Sequence, residues 1–372
     1  MVIPGSVMGV RAGRVMRSEY MRWAKTCAGA RFNLASSGVG NYPLSKLPAR
    51  IKDLELSRCG GYGYEPLQQL IARKCDVSTN CVVAATGASM ANHLAMAIVI
   101  EPGDEVLIED PTYEPLVSVA HYLGAEVRRF KRRFEDGFSL NLREVEQIVT
   151  KRTRLIVITN LHNPSGALLD EETLRELGGI ARRAGALVLV DEVYLEALLD
   201  LSPQSAFHLG EDFIVTNSLT KIYGLSGLRC GWVLAREELA KRMWRLNDLI
   251  ENIPAHVAER LSCIALTNLS EIGSRAQRLL EANHFELNRF FDSRQDIEIV
   301  RPRYGTISFP RMKSGEVDTL CRLLREKYET SVVPGRFFGM EEHFRIGMGC
   351  EREMFSEGIE RLGAALDEMR RS

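Results

Sequence analysis

The sequence predicts an α/β fold: a large domain with a mostly parallel sheet flanked by helices in three layers, plus a smaller α+β domain formed by both chain ends. Three observations carry this expectation. From Leu67 to Val215, short apolar runs alternate with segments of helical periodicity, the signature of strand-helix-strand units. Two of those runs, Leu155-Ile156-Val157-Ile158 and Leu187-Val188-Leu189-Val190, are apolar throughout, as strands covered on both faces are. Beyond about residue 236 the pattern turns helical and then mixes helices with short strands.

Taken in order, residues 15–28 read as an amphipathic helix with Met16, Tyr20, Trp23 and Cys27 on one side. Phe32 to Ala35 leads into a turn-rich piece, Ser36 to Pro43, whose composition suits a connector or a loop lining a site. The spacing Leu67-Leu70-Ile71 is helical. Strands are expected at 82–85, 105–108, 126–130, 155–159, 186–190 and 213–215, separated by helices at 91–100, 113–123, 141–149 and 170–184. Helices over 237–250, 254–269 and 273–293 follow. Short strands at 305–309, 331–333 and 344–346 and helices at 316–328 and 353–370 complete the chain. The large domain is placed at 45–272. Residues 1–44 and 273–372 form the smaller one, with 273–293 as the hinge element.

Bulk properties narrow the function. The 372 residues are 45% hydrophobic and 26% charged, ordinary for a soluble globular protein. A net charge of -1 gives no electrostatic case for nucleic acid or an anionic membrane surface. No apolar run approaches the roughly 20 residues of a spanning helix. Arginines scattered through the N-terminal stretch argue against a secretory signal. The eight cysteines are dispersed without a CxxC pair, which fits reduced, packed thiols and neither a disulfide framework nor a metal site. A cytoplasmic location is the expectation.

Ligands of parallel sheets sit outside the carboxyl ends of the strands, so those ends hold the candidate chemistry. After the first strand, Thr86-Gly87-Ala88-Ser89-Met90-Ala91-Asn92 opens a helix whose free amides and Ser89 hydroxyl suit an anion. An ordinary helix cap reads equally well there. After the second, Asp110-Pro111-Thr112-Tyr113 offers an aromatic ring that could stack on a planar ligand. The third candidate end holds Asn163 in Asn163-Pro164-Ser165-Gly166, beside His162, which reads as a loop histidine. The fourth is Asp191-Glu192-Val193-Tyr194, and a carboxylate ending an apolar strand is costly unless a cation or donor meets it. Last comes Ser218-Leu219-Thr220-Lys221, followed by Gly227-Leu228-Arg229-Cys230-Gly231-Trp232. Lys221 can form a Schiff base with a carbonyl cofactor, and Arg229 with Ser218 can hold a phosphate. Each piece alone has a bland reading as a cap, a turn or a surface charge. Together they provide the contacts pyridoxal 5'-phosphate (PLP) requires.

The motifs TGASMAN, DPTY, NPSG, DEVY, SLTKIYGLSGLRCGW and Phe344-Arg345-Ile346-Gly347 run from residue 86 to 347. With these, the sequence closely resembles the class I/II aminotransferase family, the fold type I PLP-dependent enzymes. The resemblance implies that Lys221 holds the cofactor and moves the proton, and that Asp191 pairs with its ring nitrogen. Tyr194 and Asn163 would hold the phenolic oxygen and Tyr113 would stack on the ring. Ala88, Ser89, Ser218 and Arg229 would bind phosphate. Arg345 would clamp the substrate α-carboxylate, with Asn163 and the Gly38 turn facing the same group. It further implies a homodimer that moves an amino group between an α-amino acid and a 2-oxo acid by a ping-pong mechanism. A PLP-dependent lyase, such as a carbon–sulfur β-lyase, or a decarboxylase stays open on the same fold. Where the family has a tyrosine reaching the partner's phosphate, this sequence has Arg58, with Tyr62 and Tyr64 nearby.

Overall fold

A computed structural model describes residues 17–58, 60–198 and 204–371. Met16 of the first expected helix lies outside them. The chain begins with α1 (Glu19–Thr26), β1 (Phe32–Asn33) and α2 (Glu65–Cys75). Next come β2 (Val82–Thr86), α3 (Gly87–Ala97), β3 (Glu105–Asp110), α4 (Glu114–Tyr122), β4 (Glu126–Lys131) and α5 (Leu142–Ile148). They are followed by β5 (Thr153–Thr159), α6 (Glu171–Ala184), β6 (Leu187–Asp191), β7 (Phe213–Ser218) and β8 (Cys230–Leu234). Three helices then run in succession: α7 (Glu237–Asn247), α8 (His256–Thr267) and α9 (Leu269–Asp292). The last part holds β9 (Ile297–Glu298), β10 (Ile307–Ser308), β11 (Arg311–Met312), α10 (Val317–Tyr328), β12 (Thr330–Ser331), β13 (Val333–Pro334), β14 (Phe344–Gly347) and α11 (Arg352–Met369).

Seven strands form the central sheet in the order β2-β8-β7-β6-β5-β3-β4. The five strands from β4 to β7 are mutually parallel, while β8 runs antiparallel between β2 and β7. Both faces are covered. Val188 and Val190 point into one apolar cluster and Leu189 into the other, which is why this strand shows no polar alternation. Asp170 caps α6 by accepting from the Thr173 amide, and Gly185 ends it at a φ of 74°. Between these signals Leu174, Leu177 and Ile180 recur at helical spacing and bury against the sheet. Burial of each such side chain contributes about 1.5–3 kcal/mol.

Besides the short strands β1, β9 and β11 and the earlier start of α9, three elements differ from the sequence expectation for a clear local reason. The β8 strand was not foreseen, because Gly231 interrupts its apolar run. Glycine is needed there: a Cβ on Gly231 would stand 2.4 Å from the Gly87 carbonyl carbon, where β8 crosses the β2–α3 turn. The run at 331–333 splits between two partners. Ser331 belongs to β12, parallel to β1, and Val333 belongs to β13, antiparallel to β14. Finally, α3 starts at Gly87 rather than 91, since a φ of 77° at Gly87 turns the chain directly from strand into helix.

The first helix bridges the start of α4 and the Phe337–Phe338 turn. Glu114, at the start of α4, accepts from the Ser18 hydroxyl and from the Glu19 and Tyr20 amides, at 2.8, 3.0 and 2.6 Å. On its other side Trp23 packs 5.3 Å from Phe337 and Tyr20 6.0 Å from Phe338. Among the described residues no helix is long and apolar enough to cross a membrane.

Candidate active site

A cavity of about 440 Å³ opens at the carboxyl ends of β2, β5, β6 and β7. Ala88, Ser89, Tyr113, Asn163, Asp191, Tyr194, Ser218, Lys221 and Arg229 all line it. Residues far apart in sequence thus converge on one space because parallel strands deliver their ends to one edge. A larger cavity of about 570 Å³ contains none of these residues. It is lined by Val215 and Asn217, which alternate with Thr216 and Ser218 and so face the other side of the sheet.

One end of the smaller cavity is built for an anion. The first turn of α3 presents unpaired amides there. Arg229, in a left-handed conformation at φ 50°, lays its guanidinium against Gly87, where any Cβ would meet Nη2 at 2.3 Å. Its Nη2 donates to the Thr86 carbonyl at 3.3 Å, and the exposed side chain lines the cavity. The Ser218 hydroxyl accepts from the Thr220 amide at 3.3 Å and keeps its own proton for a ligand.

At the opposite end Asp191 is buried. Its Oδ2 accepts from Asn92 Nδ2 at 2.8 Å and its Oδ1 from the Val193 amide at 3.1 Å. Thr216 donates to Asn92 Oδ1 at 2.6 Å, which fixes the amide so that its nitrogen faces the carboxylate. Burial pushes the Asp191 carboxyl up, and these two donors and the Lys221 charge only partly oppose it. No cation among the described residues pairs with it.

Lys221 lies between. Its Nζ donates to the Ser37 hydroxyl at 2.9 Å and sits 6.0 Å from the centre of the Tyr194 ring. Burial lowers its amine below the ordinary lysine value, aided by the charges of Arg345 and Arg229 and opposed by Tyr20 and Asp191. Gly38 does not line the cavity. It packs on Lys221, with space for a Cβ only 3.2 Å from the Lys221 carbonyl oxygen.

Arg345 stands behind Asn163, fully buried. Its Nη1 donates to Asn163 Oδ1 at 2.9 Å, and its Nη2 donates to the Tyr20 hydroxyl at 2.9 Å and the Ala35 carbonyl at 3.2 Å. Its Nε has no partner, and no carboxylate among the described residues pairs with the guanidinium. The Asn163 amide therefore turns its oxygen to Arg345 and its nitrogen to the cavity.

His162 is buried, not a solvated loop residue. Its Nε2 faces the Pro111 carbonyl at 2.9 Å and so carries the proton, while Nδ1 accepts from the Ser165 hydroxyl at 2.6 Å. Burial and the Arg132 charge hold it well below the ordinary histidine range, in the neutral form. Arg58, Tyr62 and Tyr64 do not line the cavity. Arg58 Nη1 lies 3.3 Å from Glu259, Tyr62 accepts from Arg245 at 2.7 Å, and Tyr64 meets His256 edge to face at 4.8 Å.

Sequence reasoning missed Asn92, Thr159, Ser37, Met21 and Lys25. All but Ser37 line the cavity, and Ser37 holds Lys221. Asn92 stands in the motif already quoted, three residues after Ser89 on the same helical face. Met21 and Lys25 share a face of α1, and nothing in their local pattern marks a roof over a distant strand end.

These features fit PLP. The small residues and guanidinium at one end match a phosphate, and the uncompensated carboxylate at the other matches a protonated ring nitrogen. The family model for aminotransferase class I and II matches residues 40–362. Capreomycidine synthase from Streptomyces vinaceus is 31% identical over 352 residues, covering 91% of this chain and 90% of that protein. A PLP-dependent aminotransferase from Streptococcus suis superposes with a TM-score of 0.86 at 28% identity, covering 91% of this chain and 94% of the other. The PLP-dependent cyclase OrfR superposes with a TM-score of 0.85 at 24% identity, covering 97% and 100%, a likeness of fold. The chain belongs to the class I and II aminotransferases, a family of PLP-dependent enzymes.

Proposed function

We propose that the protein is a transaminase that moves an amino group between an α-amino acid and a 2-oxo acid in two half-reactions. The observation that carries this reading is a pair of buried, unmatched charges: Asp191, lining the cavity with Lys221, and Arg345, directly behind Asn163. When bound, the cofactor supplies a carbonyl that condenses with amines and a ring that withdraws electrons from the substrate Cα. Asp191, oriented by Asn92, keeps the ring nitrogen protonated. Arg345 binds the substrate α-carboxylate as a planar fork, a task for which a lysine is a poor substitute. The Lys221 amine, more easily deprotonated than an exposed lysine, takes the Cα proton and later returns it. Tyr194 and Asn163 Nδ2 hold the phenolic oxygen, and Tyr113 covers the ring. Ala88, Ser89, Ser218 and Arg229 bind phosphate. The turn around Gly38, packed on the Lys221 backbone, would face the substrate carboxylate from behind Lys221.

The same reading has the protein cytoplasmic and homodimeric, with a cofactor-binding domain over 45–272 and a second domain from both ends. Ile51, Leu56 and Leu249 are 90, 79 and 83% exposed, which supports a covering partner copy. Arg58, Tyr62 or Tyr64 would then reach the other copy's phosphate.

A second reading, elimination or ring closure after the same proton removal, is favoured by the relative named as a synthase and the neighbour named as a cyclase. A panel of amino acids, each assayed with and without a 2-oxo acid, separates the two. Transfer requires the acceptor and yields one new amino acid per 2-oxo acid produced. Consumption of the amino acid beyond one equivalent per enzyme without acceptor would sink the transaminase reading. Lys221→Ala is expected to lose at least about 10³-fold in turnover under either.

A further inference from the structure

A second set of buried polar groups runs behind the cavity. Glu109 in β3 and Arg132 just after β4 are both fully buried and meet at 2.8 Å. Arg132 Nε also donates to the Phe138 carbonyl at 2.6 Å. The other oxygen of Glu109 accepts from both the amide and the hydroxyl of Thr159, each at 2.6 Å. A carboxylate can only accept, so it claims the hydroxyl proton and fixes the direction of that bond. The Thr159 hydroxyl must then act as acceptor toward the Asn163 backbone N–H, 2.9 Å away. Asn163 in turn accepts from Arg345 through its side chain. Every link is buried; the direction of the Thr159 bonds is set by the Glu109 carboxylate, and Asn163 joins this run to Arg345 through its side chain.

We propose that Glu109, held by Arg132, and Thr159 are positioning residues for substrate binding: they fix the Asn163 turn, and through it the guanidinium of Arg345. The proposal rests on the reading of Arg345 as the carboxylate clamp. Arg345 has only neutral acceptors around it and an idle Nε. Its fork therefore needs an outside frame to hold it square to an incoming carboxylate. The relay supplies that frame from the sheet. Charge-assisted bonds at the Glu109 end make it stiffer than a loop turn by itself. Tyr20 and Ala35 supply the frame's other side from the N-terminal segment.

The test uses the cofactor-loaded enzyme and a 2-methyl amino acid, which carries the α-carboxylate but has no Cα proton to lose. Its Kd is read from the change in cofactor absorbance, without turnover. Thr159→Val keeps the shape and leaves the Glu109–Arg132 pair intact while removing the hydroxyl. It is expected to raise the Kd about tenfold, the equivalent of one net hydrogen bond. Thr159→Ser, which keeps the hydroxyl, should restore binding to near wild type. Glu109→Gln, if it folds, should raise the Kd at least as much. A Kd unchanged in Thr159→Val overturns the proposal, even where its thermal midpoint falls, because the relay would then be structural alone. Arg345→Ala separates the two readings. Binding lost there but kept in Thr159→Val ends the relay and leaves the clamp standing. Binding kept in Arg345→Ala ends the clamp, and the relay with it.

Discussion

Two pairs of buried opposite charges lie within this one domain edge, and they are finished differently. Glu109 and Arg132 meet each other, and the remaining donors around the carboxylate are in place. Asp191 and Arg345 do not meet. One has two neutral donors, the other neutral acceptors, and each keeps an uncancelled charge. A buried charge without a counterion costs several kcal/mol, so a fold keeps two of them only where something else completes them. On the proposed function, the matched pair steadies the site from the sheet, and the unmatched pair is where ligands of opposite sign would sit.

Substitutions that remove the charge without changing the shape break this contrast most directly. Asp191→Asn is expected to lower turnover by about 10²–10⁴-fold while leaving the cofactor-free protein no less stable, since it removes an uncompensated charge. Chemical denaturation without cofactor and steady-state rates with it check the two halves. A large loss of cofactor-free stability would place Asp191 with the scaffold instead. Arg132→Met should show the reverse pattern. Leaving Glu109 buried and unpaired costs about 3–5 kcal/mol of unfolding free energy, measured as a shifted denaturation midpoint. Arg345→Ala is expected to raise KM for the amino acid roughly 10–100-fold, the loss of a charged hydrogen-bond partner. An unchanged KM would mean the α-carboxylate is held elsewhere.

The smallest effect concerns Glu192, the next residue after Asp191, whose carboxyl burial pushes up to about 8. The folded protein holds that proton up to about pH 8, while the unfolded chain releases it in the ordinary glutamate range. Between those limits the folded state binds more protons, so stability falls as pH rises. The slope from this one group is at most about 1.4 kcal/mol per pH unit. Glu192→Gln should flatten the thermal midpoint against pH by that share, and an unaltered slope would show that Glu192 ionises normally.

Much of this was legible beforehand, for reasons visible in particular residues. The strands β5 and β6 announce themselves because both faces are covered, so no polar residue interrupts them. The cavity's own residues were found because each ends a strand or opens a helix, where sequence position and spatial position coincide. What escaped notice depends on contacts across distance. Thr159 looks like the last residue of a strand until Glu109, fifty positions earlier, is seen to hold it. Arg132 reads as one charge in a basic run, Lys131-Arg132-Arg133, whose neighbours are exposed or half-exposed while Arg132 is sealed inside. The unforeseen β8 shows the same limit, since its glycine is explained only by the backbone of Gly87 against it.

The first helix has a practical bearing on how this protein is handled. Its start hangs on one carboxylate, Glu114, and its other face leans on Phe337 and Phe338. A shortened version for expression must therefore keep Ser18 onward. Cutting past Lys25 would strip one acceptor, Tyr20, from Arg345 and take Met21 and Lys25 off the cavity wall. Such a protein could purify well and still bind substrate poorly. Affinity tags are better carried at the other end, after α11, which contributes no residue to that wall.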